Sequence, residues 1–317
     1  MPSPLRHCTH APSRARKNFT RRVRLGEDPT NGAAGRTGGG ASPTLESASV
    51  VDIGANLTHP AFRDDLAEVL QRACAAGVTT IIATGTSVEE TRKALALGLI
   101  TTAGVHPHHA RDCNDGTIGE IRQLARNPHV VAIGECGLDF NRNYSPHPDQ
   151  EKWFLKQVEL SFEIGKPLFL HSRDAFPKFF EILKSSKARA AVAHCFTGHR
   201  EELHAYLDLG LHIGITGWIC DERRGRHLLE LVRDIPRDRL LLETDSPYLT
   251  PRDMRPQPKA RRNEPAFLPH ILKTVARALG RPPAEIAAET TANAKRLFGL
   301  PDHEPGSTPL QKRARAA

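Results

Sequence analysis

The chain has only two methionines, two tryptophans and three tyrosines in 317 residues. No apolar run approaches the ~20 residues that a membrane-spanning helix needs, which excludes a helical span. The six cysteines, Cys8, Cys74, Cys113, Cys136, Cys195 and Cys220, include no CxxC pair and no regular spacing. That pattern argues against a disulfide framework or a zinc knuckle and suits reduced intracellular thiols. No GxGxxG follows the first strand-like run, so an open dinucleotide-binding sheet is only the runner-up architecture. Excess charge is also missing from most of the chain. Residues 1–45 hold eight Lys/Arg against two Asp/Glu, and so account for six of the eight units of net positive charge. The body is close to neutral, and its overall charge by itself gives no reason to expect nucleic-acid binding.

Residues 1–47 are rich in Arg, Gly, Ser, Pro and Thr, with few large apolar groups. Such a segment cannot bury enough surface to offset its ordering entropy, so it reads as a disordered basic arm. Its first 26 residues are Arg-rich and free of acids, which also suits an organelle transit peptide, the alternative to a cytoplasmic protein. Met254 is the only other methionine, so a shorter form beginning near Val50 would need a different start codon. Residues 301–317 read as a flexible tail. The folded domain is expected over 48–300.

Within it, one pattern repeats. Short runs rich in β-branched or small apolar residues alternate with helical spacing, eight times in about 250 residues. The expected strands are Val50–Ile53, Thr79–Ala83, Thr101–Val105 and Val130–Ile133, then runs ending at His171, at His194, at Ile215 and near Asp245. Gly134 is read as the break that ends the fourth. The seventh helix is expected over Arg224–Val232, and Asn263 as the cap of the helix beginning at Pro265. Eight strand–helix units in this length are the composition of a (β/α)8 TIM barrel, an α/β fold whose chemistry sits at the C-terminal ends of the strands.

Those ends carry metal-ligand residue types. Glu135 follows the fourth strand, His171 ends the fifth, His194 ends the sixth, and Glu243-Thr244-Asp245 follows the eighth. His106, with His108 just beyond, follows the third. A single histidine after an apolar run is an ordinary core residue, but a recurrence at the same point of each repeat marks one site. Glu135, His171, His194 and Asp245 are therefore the expected metal ligands, with Asp245 also suited to be the general base. Two imidazoles and two carboxylates suit a divalent ion that lowers the pKa of water and polarises the scissile bond. Imidazoles lean towards zinc or manganese, whereas carboxylates and phosphate oxygens lean towards magnesium.

Basic residues crowd the same end of the expected barrel. Arg223, Arg224 and Arg226 follow the seventh strand; Arg252, Arg255, Lys259, Arg261 and Arg262 follow the eighth; Arg142 lies seven residues after Glu135 and Arg173 two after His171. Such a distribution suits a polyanionic substrate, with Trp218, Phe140 and Tyr248 available to stack bases.

The segments IGECGLDFNRN, LHSRDAF, HCFTG, GITGWICDERRG, ETDSPYL and RRNEPAFLPHI closely resemble the TatD family of metal-dependent deoxyribonucleases, from about Val50 to Gly299. The resemblance implies an amidohydrolase-like TIM barrel and a 3′–5′ exonuclease acting on single-stranded DNA and on RNA. It also implies a cytoplasmic enzyme of DNA repair or turnover. Magnesium is the expected ion, with manganese and zinc as alternatives, and a monomer is expected. By motif, Glu135, His171 and His194 match family metal ligands, Asp245 the catalytic aspartate, and His106 the histidine of the GxHPH segment, which with Glu135 joins the catalytic set. His106, His108, Arg142, Arg173, Trp218, Arg223, Arg224, Tyr248 and Arg262 are expected to meet substrate. One segment departs from the pattern. Where many members have Asp-x-His-x-His in strand one, this chain has Asp52-Ile53-Gly54-Ala55-Asn56, so one firm metal is expected rather than a tight pair. Two other readings use the same residues: a small-molecule amidohydrolase or lactonase, and a nucleic-acid-binding protein with weakened catalysis.

Overall fold

The computed structural model describes residues 49–186, 190–258 and 261–301. The basic arm, the tail beyond Pro301 and Lys259 lie outside these. The strands are β1 (Val50–Ala55), β2 (Val78–Ala83), β3 (Ile100–Ala103), β4 (Val130–Asp139), β5 (Leu168–Arg173), β6 (Ala191–Ala193), β7 (His212–Ile215) and β8 (Leu240–Leu242). All pair in parallel in sequence order. Helices α1 (Leu66–Ala75), α2 (Val88–Ala96), α3 (Thr117–Leu124), α4 (His147–Ile164), α5 (Phe176–Ser185), α6 (Arg200–Asp208), α7 (Leu228–Leu231) and α8 (Leu268–Leu279) follow the strands in turn, and α9 (Pro283–Phe298) ends the fold. The expected TIM barrel is what forms.

Side-chain alternation along each strand builds two cores. Ile81, Val130, Leu168, Leu170, Leu240 and Leu242 face outward onto helices through Leu70, Ile121, Phe154, Phe179, Leu203 and Ile271. Their neighbours Ile82, Val131, Phe169, Val192 and Leu241 face inward, where Leu297 and Phe298 of α9 join them and close the bottom of the barrel. Asn293 of α9 fastens this plug by donating to the Arg237 and Leu240 carbonyls at 2.8 and 2.9 Å. At the top, β8 and β1 are joined past the strand ends: Asn56 N donates to Ser246 O at 2.7 Å and Asp245 N to Gly54 O at 2.8 Å. Asp52, wholly buried, adds a side-chain tie, accepting from Thr244 N at 2.9 Å and Thr244 Oγ1 at 2.6 Å.

Several expected boundaries move. Gly134 does not end β4, which shifts register between Gly134 and Cys136 and runs on to Asp139 beside β5. Glu135 thus stands within a strand, and β5 likewise carries His171 inside it rather than at its end. β3 stops at Ala103, because Gly104 and Val105 already lead into the turn that starts at Pro107. α7 shrinks to four residues because Asp221 holds Arg223 and Arg224 in a loop. Asn263 caps no helix: it is buried and donates to the Thr244 and Tyr248 carbonyls at 2.8 and 2.6 Å, securing the β8–α8 loop.

The glycines of β1 and β7 make a slot at the barrel axis. The Glu243 carboxylate enters from the end of β8 and lies against both Gly54 and Gly214. A Cβ at position 54 would stand 2.6 Å from Glu243 Oε2 and 2.9 Å from Phe169 Cζ.

Gly54→Ala is therefore expected to cost about 1–3 kcal/mol by overpacking, measured by urea unfolding; an unchanged midpoint would mean the slot has slack. A second expectation concerns acid. Burial, with the nearby charges of Arg239 and Arg296, pushes the β7 residue His212 down to about 4, below the ~6.5 of an unfolded histidine. The folded state then prefers the neutral ring, so this stabilisation is complete above pH 6.5 and is lost as pH falls towards 4. We expect a loss on the order of 2 kcal/mol across that window, and a flatter pH profile of the unfolding midpoint for His212→Gln. Equal steepness in the two proteins would place the acid sensitivity elsewhere.

Candidate metal and nucleic-acid site

Four imidazole or carboxylate groups, two within β4 and β5 and two just beyond β3 and β6, meet above the inner core. Glu135 Oε1 lies 2.8 Å from His194 Nε2, 2.9 Å from His171 Nδ1 and 3.3 Å from His106 Nε2. Glu135 is 5 % exposed, His194 6 % and His106 7 %. Burial alone would raise the Glu135 pKa, but the His106 and His194 rings, with hydrogen bonds from His106 and His171, hold it well below the usual carboxylate range. His194 goes the other way: burial opposes its charge, yet Glu135 and Glu243 raise it well above an ordinary imidazole. Burial brings His106 down to about 4.

Each ring is also held from behind. His106 opens the turn Pro107–Asp112 and accepts from His108 N through Nδ1 at 3.1 Å, which directs Nε2 at Glu135. His194 turns Nδ1 to Glu243 Oε2 at 3.3 Å, while Glu243 Oε1 accepts from Cys195 N at 2.5 Å. Asp139 receives His108 Nε2 at 2.7 Å and faces His171 Nε2 at 3.5 Å. Asp245 is half-buried near Glu135 and Glu243; desolvation pushes it up to about 7, and Asn56 Nδ2 donates to its Oδ1 at 3.0 Å.

This donor set suits a divalent metal. His106, Glu135 and His171 offer ligand atoms that all lie within 4.8 Å of one another. His171 Nε2 and His194 Nε2 are buried, and their approaches to Asp139 at 3.5 Å and Glu135 at 2.8 Å lack the alignment of a hydrogen bond, so a coordinated ion would give each nitrogen a well-directed partner.

Asp245, His108, Arg142, Arg173, Trp218, Arg224 and Tyr248 join these residues around one cleft of about 1040 Å³. Arg224 stacks over the Trp218 ring at 4.4 Å while pairing with Asp221. Tyr248 stays 51 % exposed, edge-on to His59 at 5.5 Å. Two residues expected at substrate stand outside the cleft lining. Arg223 is taken up by Asp221, and Arg262 by Asp65 at 2.6 Å and Glu264 at 2.7 Å, a latch between α1 and the loop before α8. Phe140 stacks on His147 at 3.7 Å and is packing rather than platform.

Sequence reasoning passed over three groups. Asp139 lies on the same strand face as Glu135, four residues on, a signal hidden by ending the strand at Gly134. Glu243 sits two residues before Asp245 and read as part of the strand end. Tyr144, 52 % exposed and edge-on to His108 at 4.7 Å, had no signal beyond its place in the loop after β4.

The model of the TatD related DNase family matches residues 51–299. The 3′-5′ ssDNA/RNA exonuclease TatD of Erwinia tasmaniensis is 53 % identical over 257 residues, covering 78 % of this chain and 99 % of that protein. The protein of the same name from Escherichia fergusonii is 49 % identical over 256 residues, covering 78 % of this chain and 98 % of its own. Among solved structures, the TatD homolog YJJV from Escherichia coli K12 superposes with a TM-score of 0.73 at 30 % identity, over 80 % of this chain and 98 % of that one. With its motifs, barrel and clustered ligands all in agreement, the chain belongs to the TatD family of DNases.

Proposed function

We propose that this nuclease removes nucleotides from the 3′ end of single-stranded DNA, and of RNA, by hydrolysing phosphodiester bonds. The observation that carries this reading is the meeting of His106, His171 and His194 at one oxygen of Glu135, at the floor of a cleft lined by Arg142, Arg173 and Arg224. The polarity and substrate are those in the names of the bacterial relatives. Glu135, His171, His194 and His106 would hold a divalent metal, which when bound would supply Lewis acidity and lower the pKa of water. Carboxylate and phosphate oxygens favour magnesium for that role.

The chain's own groups do the rest. Asp245, also an expected ligand, orients the attacking water and takes its proton; Asn56 holds the carboxylate in place. Arg142, Arg173 and Arg224 bind phosphates, and His108, fixed by Asp139, stands beside them. Trp218 and Tyr248 stack bases without reading their identity. Cationic side chains in this number have no role on a neutral amide or lactone, which favours the nuclease over the small-molecule reading. We infer further a cytoplasmic monomer acting in DNA repair or turnover. Five cysteines free of disulfides among the described residues support a reducing compartment, and no described helix is long and apolar enough to cross a membrane.

The test is digestion of 3′-labelled and 5′-labelled single strands with magnesium, manganese, zinc or chelator. A metal-dependent ladder shortening from the 3′ end is expected. Glu135→Ala and His171→Ala should each slow it at least about 100-fold, and Asp245→Asn by roughly 10²–10⁴. Normal digestion by Glu135→Ala, or equal rates in chelator, would overturn the assignment.

A further inference from the structure

A second group of ligand-type side chains lies behind the basic loops. Cys220 ends the turn Gly217–Cys220 after β7, Asp253 stands in the β8–α8 loop, and His270 lies in the first turn of α8. One donor atom from each falls within 4.8 Å of the other two, and His270 Nε2 is 2.7 Å from Asp253 Oδ1. None of the three lines the catalytic cleft. Cys220 and Asp253 instead line a separate cavity of about 390 Å³. Cys220 is 4 % exposed, and its sulfur meets Thr274 Oγ1 at 3.5 Å and the Asp253 carboxylate.

We propose that Cys220, Asp253 and His270 form a binding site for a zinc-class divalent cation, independent of the catalytic metal. The donors are one thiol, one carboxylate and one imidazole, the set zinc takes in tetrahedral sites with three protein ligands and an open fourth position. Magnesium, which prefers oxygen donors, has little to hold there. Around tetrahedral zinc the ligand atoms lie roughly 3.4–3.8 Å apart, so closing the site needs only short rotations of Asp253 and His270 at the surface. Thiolate and carboxylate together neutralise the ion. Arg233 and Arg277 line the same cavity; Arg233 is engaged by Ala278 O at 2.8 Å, and Arg277 by Thr274 Oγ1 at 3.2 Å, beside the Cys220 sulfur, where its charge favours a thiolate.

The ion would join three segments that carry the mouth of the cleft: the turn leading to Arg223 and Arg224, the loop of Arg252, and α8. Arg252 reaches back to Asp221 at 3.6 Å and Glu222 at 3.2 Å, so Asp253 is one bond from the ladder that sets these arginines. Filling the site is expected to tighten single-strand binding, read as a lower KM, and to leave kcat unchanged.

The experiment uses the full chain carrying Glu135→Ala and His171→Ala, which removes two of the catalytic ligands. After equilibration with zinc alone and dialysis, about one zinc per chain should remain. Cobalt in its place should show thiolate-to-cobalt charge-transfer absorption. Adding Cys220→Ser should abolish both signals. Asp253→Asn, at an exposed position that does not endanger the fold, and His270→Ala should each weaken retention at least about tenfold. Retention of no zinc by the catalytic-site variant would overturn the proposal. So would zinc that survives Cys220→Ser, Asp253→Asn and His270→Ala alike, since that ion would be held elsewhere.

Discussion

A carboxylate oxygen set among three imidazole nitrogens at 2.8 to 3.3 Å, almost out of contact with water, is expensive to keep ionised. The upper half of this barrel is arranged to keep Glu135 charged. Strands β5 and β6 with the turn after β3 bring the rings to it, and Asp139, Glu243 and the His108 amide hold those rings from behind. The supporting carboxylates are buried in their turn and rest on backbone donors: Cys195 N on Glu243, and Asn141 N and Arg142 N on Asp139. Two shells of fixed dipoles thus set the geometry of one oxygen before any ligand arrives, the preorganisation on which such catalysis depends.

Around this centre the loops follow a different rule. Positive charge is gathered at the mouth, yet several of its arginines are restrained. Asp221 by itself takes Arg223, Arg224 and Arg252, and against the effect of burial the hydrogen bonds from Arg223 and Arg224 draw its carboxyl well below the usual range. Arg262, with Arg72, Asp65 and Glu264, forms a comparable knot on the other flank. Such pairs contribute little stability when exposed. Here they fix the loops after β7 and before α8, leaving Arg224 flattened on Trp218 at the cleft that Arg142 and Arg173 also line.

Much of this was legible in the sequence because barrel geometry and strand periodicity are both repetitive. A residue at the same point of successive repeats must come to the same end of the barrel, which is why His171, His194 and Asp245 line one cleft. The misreadings came where backbone conformation overrode a local rule. Glycine ordinarily interrupts a strand; β4 instead passes through Gly134 and Gly137, and only the continued strand shows that Glu135 and Asp139 share a face. Glu243 was hidden because its neighbours across the barrel, Gly54 and Gly214, are remote in sequence and contribute only empty space. Which arginines are free and which are tied is likewise set by partners as distant as Asp65 and Arg262.

The glycine slot that admits Glu243 also ties three remote positions into one unit. A side chain at position 54 or 214 would take the volume that the carboxylate fills. Removing Glu243 alone would leave His194 Nδ1 and Cys195 N without their partner. A bulkier wall is therefore accommodated only with a smaller group at 243, and that smaller group gives up the hold on His194.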